Sequence, residues 1–358
     1  MRRRALSSAR FVAIVAAALL ALIGAGCGSS ATVADESASP SPAASGSATP
    51  AAGASPAAGG SPVANVVQAA PVQHVQVGDI SMGYRVIGPL ATASAADSAA
   101  AGAAPPLLLI MGSSGTMDMW SPDFVAALAQ DRQVIVFDNR GIGETDDPGS
   151  RAYQFPRLAE DTAGLIKALG YDSLDVLGWS MGGEVAVDLA VRHPAIVSRL
   201  VSYAGDPGGR LTLPPTKAAM AVLMDTSGSP QKRGERLIEL LFPAAYRSAN
   251  PANAETFPIP KEQASPVAMG LQNQAIGEWS GVAGDLKDIA CPALFVTGTE
   301  DVISPPANAL MMAVSVPGSW LNRFAGAGHG LMYQDPKGLA DAVLTFFKVT
   351  ATAAAGGG

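Results

Sequence analysis

The sequence predicts an α/β fold: a mostly parallel sheet of about eight strands, covered by helices on both faces and carrying a helical lid insertion. Three observations lead there. From residue 71 onward, short apolar runs alternate with stretches of helical periodicity, the pattern of strand–helix–strand units. Several runs are apolar throughout rather than at every second residue, as in strands buried on both faces. The alternation then stops for some 80 residues, about 206–288, and resumes.

VQHVQV and ISMGYRVIG meet at Gly78-Asp79 and read as a hairpin. PLLLIM (106–111) is a fully apolar strand. Ser121-Pro122 opens a helix to residue 130, with serine as cap and proline in the first turn. RQVIVFD (132–138) is the next strand, and 158–169 has apolar residues at helical spacing. LDVLG (174–178), a small-residue helix over 181–192, and SRLVSYAG (198–205) follow. The 206–288 segment is proline-rich, with helical pieces at 216–224 and 232–242. Its position after a strand marks it as a lid or cap. ALFVTG (293–298), SWLNRF (319–324) and a helix over 339–348 complete the domain, which is drawn as 71–350 with a loose tail at 351–358.

The N-terminus is of another character. Arg2 to Arg4 precede the uncharged run Phe11–Gly26, which reads as a secretory signal over 1–26 and is short for a membrane-spanning helix. IGAGC resembles the bacterial lipoprotein signal, in which cleavage precedes a lipid-bearing cysteine, here Cys27. Gly24 departs from the aliphatic residue preferred three positions earlier. Plain secretion and an uncleaved anchor are the alternatives. Residues 27–70, dominated by Ala, Ser, Pro and Gly, cannot bury enough surface to offset ordering and read as a flexible tether. A similar stretch at about 90–105 reads as an expanded loop. The expected localisation is therefore the extracytoplasmic face of the cell membrane, held by lipid.

Composition narrows the function. With 23 basic against 30 acidic residues the net charge is −7, which argues against a nucleic-acid partner. Two cysteines exclude a disulfide framework or a cysteine-rich metal centre. There is no metal-ligand cluster and no dinucleotide-binding glycine motif, so no cofactor is expected. Cys291, before Pro292, reads as a buried, inert thiol.

Gly178-Trp179-Ser180-Met181-Gly182 follows a strand and opens a helix. This G-x-S-x-G turn lifts a serine above a sheet, and its glycines permit close backbone approach. A serine hydroxyl needs a base to take its proton, and only three histidines exist. His329, just after a strand and among small residues that suggest an exposed turn, is favoured over His193 at a helix end and His74 in an early strand. An acid must orient that base. Asp301, following ALFVTG, is favoured over Asp206, which follows the strand before the insertion, and over the adjacent Glu300. The order Ser–Asp–His along the chain is the one expected for this fold.

Four blocks carry a resemblance to the α/β-hydrolase fold superfamily: IMGSSGTMDMW (110–120), FDNRGIGETD (137–146), LGWSMGG (177–183), and TGTED (297–301) with GAGHG (326–330). The resemblance spans about residues 72–348. It implies that Ser180 is the nucleophile, Asp301 the acid and His329 the base. It implies an oxyanion hole from the backbone N–H of Met181 and of Ser113. Met111-Gly112 stands where relatives have His-Gly, and Thr145 where they have serine. Arg140 reads as an ion-pairing residue rather than a substrate ligand. Met111, Met117, Met119 and Met181 are either the wall of an apolar acyl pocket or core fillers.

The implied function is a serine hydrolase acting on a small-molecule carboxylic ester through an acyl-enzyme. Lactonase, aminopeptidase, and cofactor-free haloperoxidase or perhydrolase activities on the same triad, and a non-catalytic surface binding protein, are the alternatives.

Overall fold

The structure is a computed structural model describing residues 65–89, 104–146, 153–225, 227–251, 257–262 and 264–355. The signal, Cys27 and most of the tether and the 90–105 loop lie outside the described residues.

Eight strands form one sheet in the order β1-β2-β4-β3-β5-β6-β7-β8. They are β1 (Gln73–Val77), β2 (Ile80–Ile87), β3 (Leu107–Ile110), β4 (Val134–Phe137), β5 (Leu174–Trp179), β6 (Val197–Tyr203), β7 (Ala293–Gly298) and β8 (Trp320–Phe324). β1 pairs antiparallel with β2, and β2 with β4. Every other pairing is parallel. The fold is the expected mostly parallel, doubly covered sheet.

Period-2 alternation within the apolar runs divides two cores. Leu107, Leu109, Val134 and Val136 face one, while Leu108, Ile110, Ile135 and Phe137 face the other. The first core is covered by α1 (Val66–Ala69), α2 (Pro122–Leu128) and α11 (Pro336–Ala355). The second is covered by α3 (Phe155–Ala168), α4 (Met181–Arg192) and α9 (Pro306–Ser315). Ser121 caps α2, its hydroxyl accepting from Phe124 N.

Two domain boundaries differ from those drawn on the sequence. Composition places residues 65–70 in the tether, yet Asn65 caps α1 through Val67 N and Gln68 N, and Val67 is wholly buried. One apolar side chain on one short turn suffices to dock it, too little for a compositional reading to register. At the other end α11 continues to Ala355, so residues 351–355 are helical rather than a loose tail. Alanine is the strongest helix former, and ATAAA extends a helix already nucleated by packing.

Between β6 and β7 lie α5 (Lys217–Met224), α6 (Pro230–Leu241), α7 (Ala244–Ala249) and α8 (Pro266–Glu278). Each of α5, α6 and α8 is capped by a Ser or Thr hydroxyl, on Thr216, Ser229 and Ser265. The stretches at 208–215 and 276–280 close over the carboxyl ends of the strands, where they line a cavity. α7 ends at Ala249, with Asn250 as its C-cap, and α10 (Leu331–Gln334) follows the loop that carries His329.

Candidate active site

β5 enters the turn at Trp179 and α4 leaves it at Met181, so Ser180 is held between sheet and helix. Its φ of +56° is left-handed, a strain of about 1–3 kcal/mol for a non-glycine residue. The fold holds it there: Ser180 N donates to Tyr203 O, and Ser180 O accepts from Gly183 N. A Cβ on Gly178 would lie 1.9 Å from Gly182 O, and one on Gly182 2.0 Å from Ile110 O. Both positions therefore require glycine.

His329 Nε2 lies 3.0 Å from Ser180 Oγ, and His329 Nδ1 lies 2.8 Å from Asp301 Oδ2. Asp301 Oδ1 accepts from Ile303 N and Ser304 N, which fixes the carboxylate plane. The His329 carbonyl accepts from both Trp179 Nε1 and Tyr203 Oη. His329 is 3% exposed, not on the exposed turn its neighbours suggested. The small residues around it admit close packing: a Cβ on Gly298 would strike Ala327 O, and one on Gly328 would strike Leu241 O.

The competing candidates stand elsewhere. Glu300 is exposed. Asp206 Oδ1 accepts from Gly208 N and Thr212 Oγ1. His193 Nε2 pairs with Glu160, and exposed His74 lies 3.6 Å from Glu144.

Ser113 and Met181 flank Ser180 in the cavity wall, and neither amide N–H has a protein acceptor among the described residues. The chain turns sharply at Ser114, with φ +57°, and Ser114 N donates to Gln272 Oε1 at 2.5 Å. Gln272, fully buried on α8, thus ties the insertion to the loop beside the serine. No motif marked it in the sequence. Nor did any mark Glu184, a buried acid one helical turn from Ser180 on the cavity wall. The cavity, about 500 Å³, also takes in Ile276, Trp279, Ile303 and Pro214.

The sequence blocks find structural uses. Asp138 accepts from Met117 N and Glu144 N, and a Cβ on Gly143 would lie 2.3 Å from it. Thr145 Oγ1 donates to Asp138 O and accepts from Gly83 N, so threonine does the bonding that a serine hydroxyl could do. Arg140 is buried and paired with Asp161 and Asp79, as an ion-pairing residue should be. Of the four methionines only Met181 lines the cavity; Met111, Met117 and Met119 are core fillers. Burial pushes the half-buried Cys291 thiol up to about 11, out of the reactive range. Among the described residues, no group of three or more His, Cys, Asp or Glu could hold a metal ion.

Similarity to known proteins agrees with this frame. RutD of Caulobacter sp. (strain K31), provisionally named a carbamate hydrolase, is 28% identical over 246 residues, 67% of this chain and 89% of its own. The 2-hydroxymuconate semialdehyde hydrolase of Pseudomonas putida is 29% identical over 255 residues, 67% of this chain and 86% of its own. Among solved structures, an alpha/beta hydrolase fold protein from Chitinophaga pinensis superposes with a TM-score of 0.63 at 25% identity, covering 76% of this chain and 96% of that one. The model of the alpha/beta hydrolase fold family matches residues 105–336, more than half of the sequence, and the chain belongs to that family.

Proposed function

We propose that this chain is a serine hydrolase of small carboxylic esters, with Ser180 as nucleophile, His329 as general base and Asp301 as the acid that orients it. The observation that carries the reading is the continuous relay from Ser180 Oγ through both His329 nitrogens to Asp301 Oδ2.

The chemistry follows from that geometry. Asp301 Oδ2 accepts a hydrogen bond from Nδ1–H, which keeps the ring proton on Nδ1 and leaves the Nε2 lone pair facing Ser180 Oγ. As Oγ attacks the ester carbonyl, Nε2 takes its proton. The carbonyl oxygen becomes an oxyanion facing the N–H groups of Met181 and Ser113, each such donor being worth about 2.7–4 kcal/mol in the transition state. Collapse expels the alcohol, which leaves with the proton from Nε2. Water then attacks the acyl-enzyme, giving its proton to Nε2, and the acid departs as Ser180 recovers its hydrogen. The mostly apolar cavity wall supports an apolar acyl group, and the names of the two hydrolase relatives support hydrolysis as the reaction class.

We further propose that the chain is exported and tethered to the membrane by lipid on Cys27. Replacing Cys27 by Ser should move it from the membrane fraction to the soluble one. The catalytic reading is tested by steady-state hydrolysis of p-nitrophenyl butyrate. Turnover by the native protein and its loss in Ser180→Ala and His329→Ala support the reading; turnover that survives in both overturns it.

A further inference from the structure

The cavity beside Ser180 contains a carboxyl group that the relay does not use. Glu184 is the fourth residue of α4 and only 9% exposed, yet it lines the cavity. Its side chain has no hydrogen-bond or ion-pair partner among the described residues. Buried carboxyls are ordinarily paired, and an unpaired one in a ligand cavity points to a donor supplied by the ligand. A second carboxyl stands in the same wall. Asp206 directs both of its hydrogen bonds to Oδ1, from Gly208 N and Thr212 Oγ1, so Oδ2 accepts none. Arg210 and Glu278, the other charged side chains in the wall besides His329, are both exposed and opposite in sign. In the otherwise mostly apolar wall, the sheltered ionisable groups besides His329 are therefore these two carboxyls.

We propose that Glu184 and Asp206 form an ammonium-binding subsite, which selects substrates whose acyl group carries a free amine close to the scissile carbonyl. This rests on the hydrolase reading above and deepens it. Position sets the reach: Glu184 stands in the first turn of the helix that Ser180 caps, and both line the same cavity, so the amine falls close to the carbonyl that Ser180 attacks. Electrostatics sets the sign. Burial and the neighbouring Asp206 hold the Glu184 carboxyl well above the usual carboxylate range, and burial raises Asp206 as well. A cation among them offsets both penalties and donates to the oxygens that lack donors. A neutral acyl group of the same shape would leave them unsatisfied.

The test compares alanine benzyl ester with benzyl isobutyrate, which differ by an ammonium in place of a methyl. Rates are followed by release of benzyl alcohol. The native protein should favour the alanine ester in kcat/KM by about tenfold or more. Glu184→Gln and Asp206→Asn should each bring the ratio close to one. Asp206→Asn keeps a carbonyl for Gly208 N and Thr212 Oγ1, so it guards against a loss that is merely structural. Calorimetric titration with alaninamide and with isobutyramide reads the subsite without turnover. Alaninamide binding that disappears in Glu184→Gln, in a protein that hydrolyses neither ester, would keep the subsite and reject the hydrolase. Hydrolysis of both esters with a ratio of one or less, or a preference unchanged in both variants, would overturn the subsite and leave the hydrolase standing.

Discussion

Asp301→Asn separates what the acid does from the space it fills. Oδ1 of Asp301 accepts from two backbone donors, Ile303 N and Ser304 N, and Oδ2 faces His329 Nδ1. An asparagine must keep its oxygen toward the two N–H groups, so its NH₂ group turns to His329. Nδ1 then has to act as acceptor, the ring proton moves to Nε2, and the lone pair that should receive the Ser180 proton is gone. The wrong tautomer in such a relay lowers kcat by about 10⁴, or about 5.4 kcal/mol at 1.36 kcal/mol per tenfold. Shape and both backbone bonds are retained, so the melting temperature should hardly change. The assay is kcat on p-nitrophenyl butyrate at pH 7, with thermal melts run alongside. A loss smaller than about tenfold in a fully folded variant would refute the claim that Asp301 sets the tautomer of His329.

Three further outcomes follow from the fold. Asp175, fully buried, receives Arg132 and a two-pronged contact from Arg199, and both guanidinium groups lie over the Phe347 ring. Asp175→Ala strands two buried cations and should cost about 3–5 kcal/mol in urea unfolding; a loss below 1 kcal/mol would contradict the burial argument. A protein beginning at Pro71 lacks Val67 and should melt about 5 °C or more below one that retains Asn65, and equal melting temperatures would return residues 65–70 to the tether. Burial pushes Asp138 from 3.8 to about 7, against the hydrogen bonds from Glu144 N and Met117 N. The folded state thus holds this proton more tightly than the unfolded chain does. The stability it gives is complete below about pH 4 and is lost as pH rises through 7. Urea unfolding over that range should show the native protein losing stability relative to Asp138→Asn, and a constant difference would refute the shift.

The parts of this molecule that were legible in its sequence are those where one physical requirement dominates. The apolar run ALFVTG is β7 residue for residue, because a strand buried on both faces admits little else. The helix 181–192 begins and ends where the sequence indicated, since Ser180 must leave the strand and His193 closes the last turn. The proximity of Ser180, Asp301 and His329 could be read because each follows a strand of a parallel sheet, and the carboxyl ends of such strands converge. α8 was missed. Its sequence PVAMGLQNQAIGE has no single apolar face, because Gln272 and Asn273 are buried with Ala275 and Ile276. α9 was missed as well, hidden behind two prolines at its start. Glu184 and Gln272 have no motif: what sets them apart is burial and the lack or choice of a partner, which only the folded chain displays.

The central claim is that Ser180 is an activated nucleophile. Treating the folded protein with a fluorophosphonate and mapping the adduct by mass spectrometry tests it without assuming a substrate. The account predicts one adduct, on Ser180, absent from Ser180→Ala and strongly reduced in His329→Ala. A folded protein that remains unlabelled, or that is labelled as readily without His329, would contradict it.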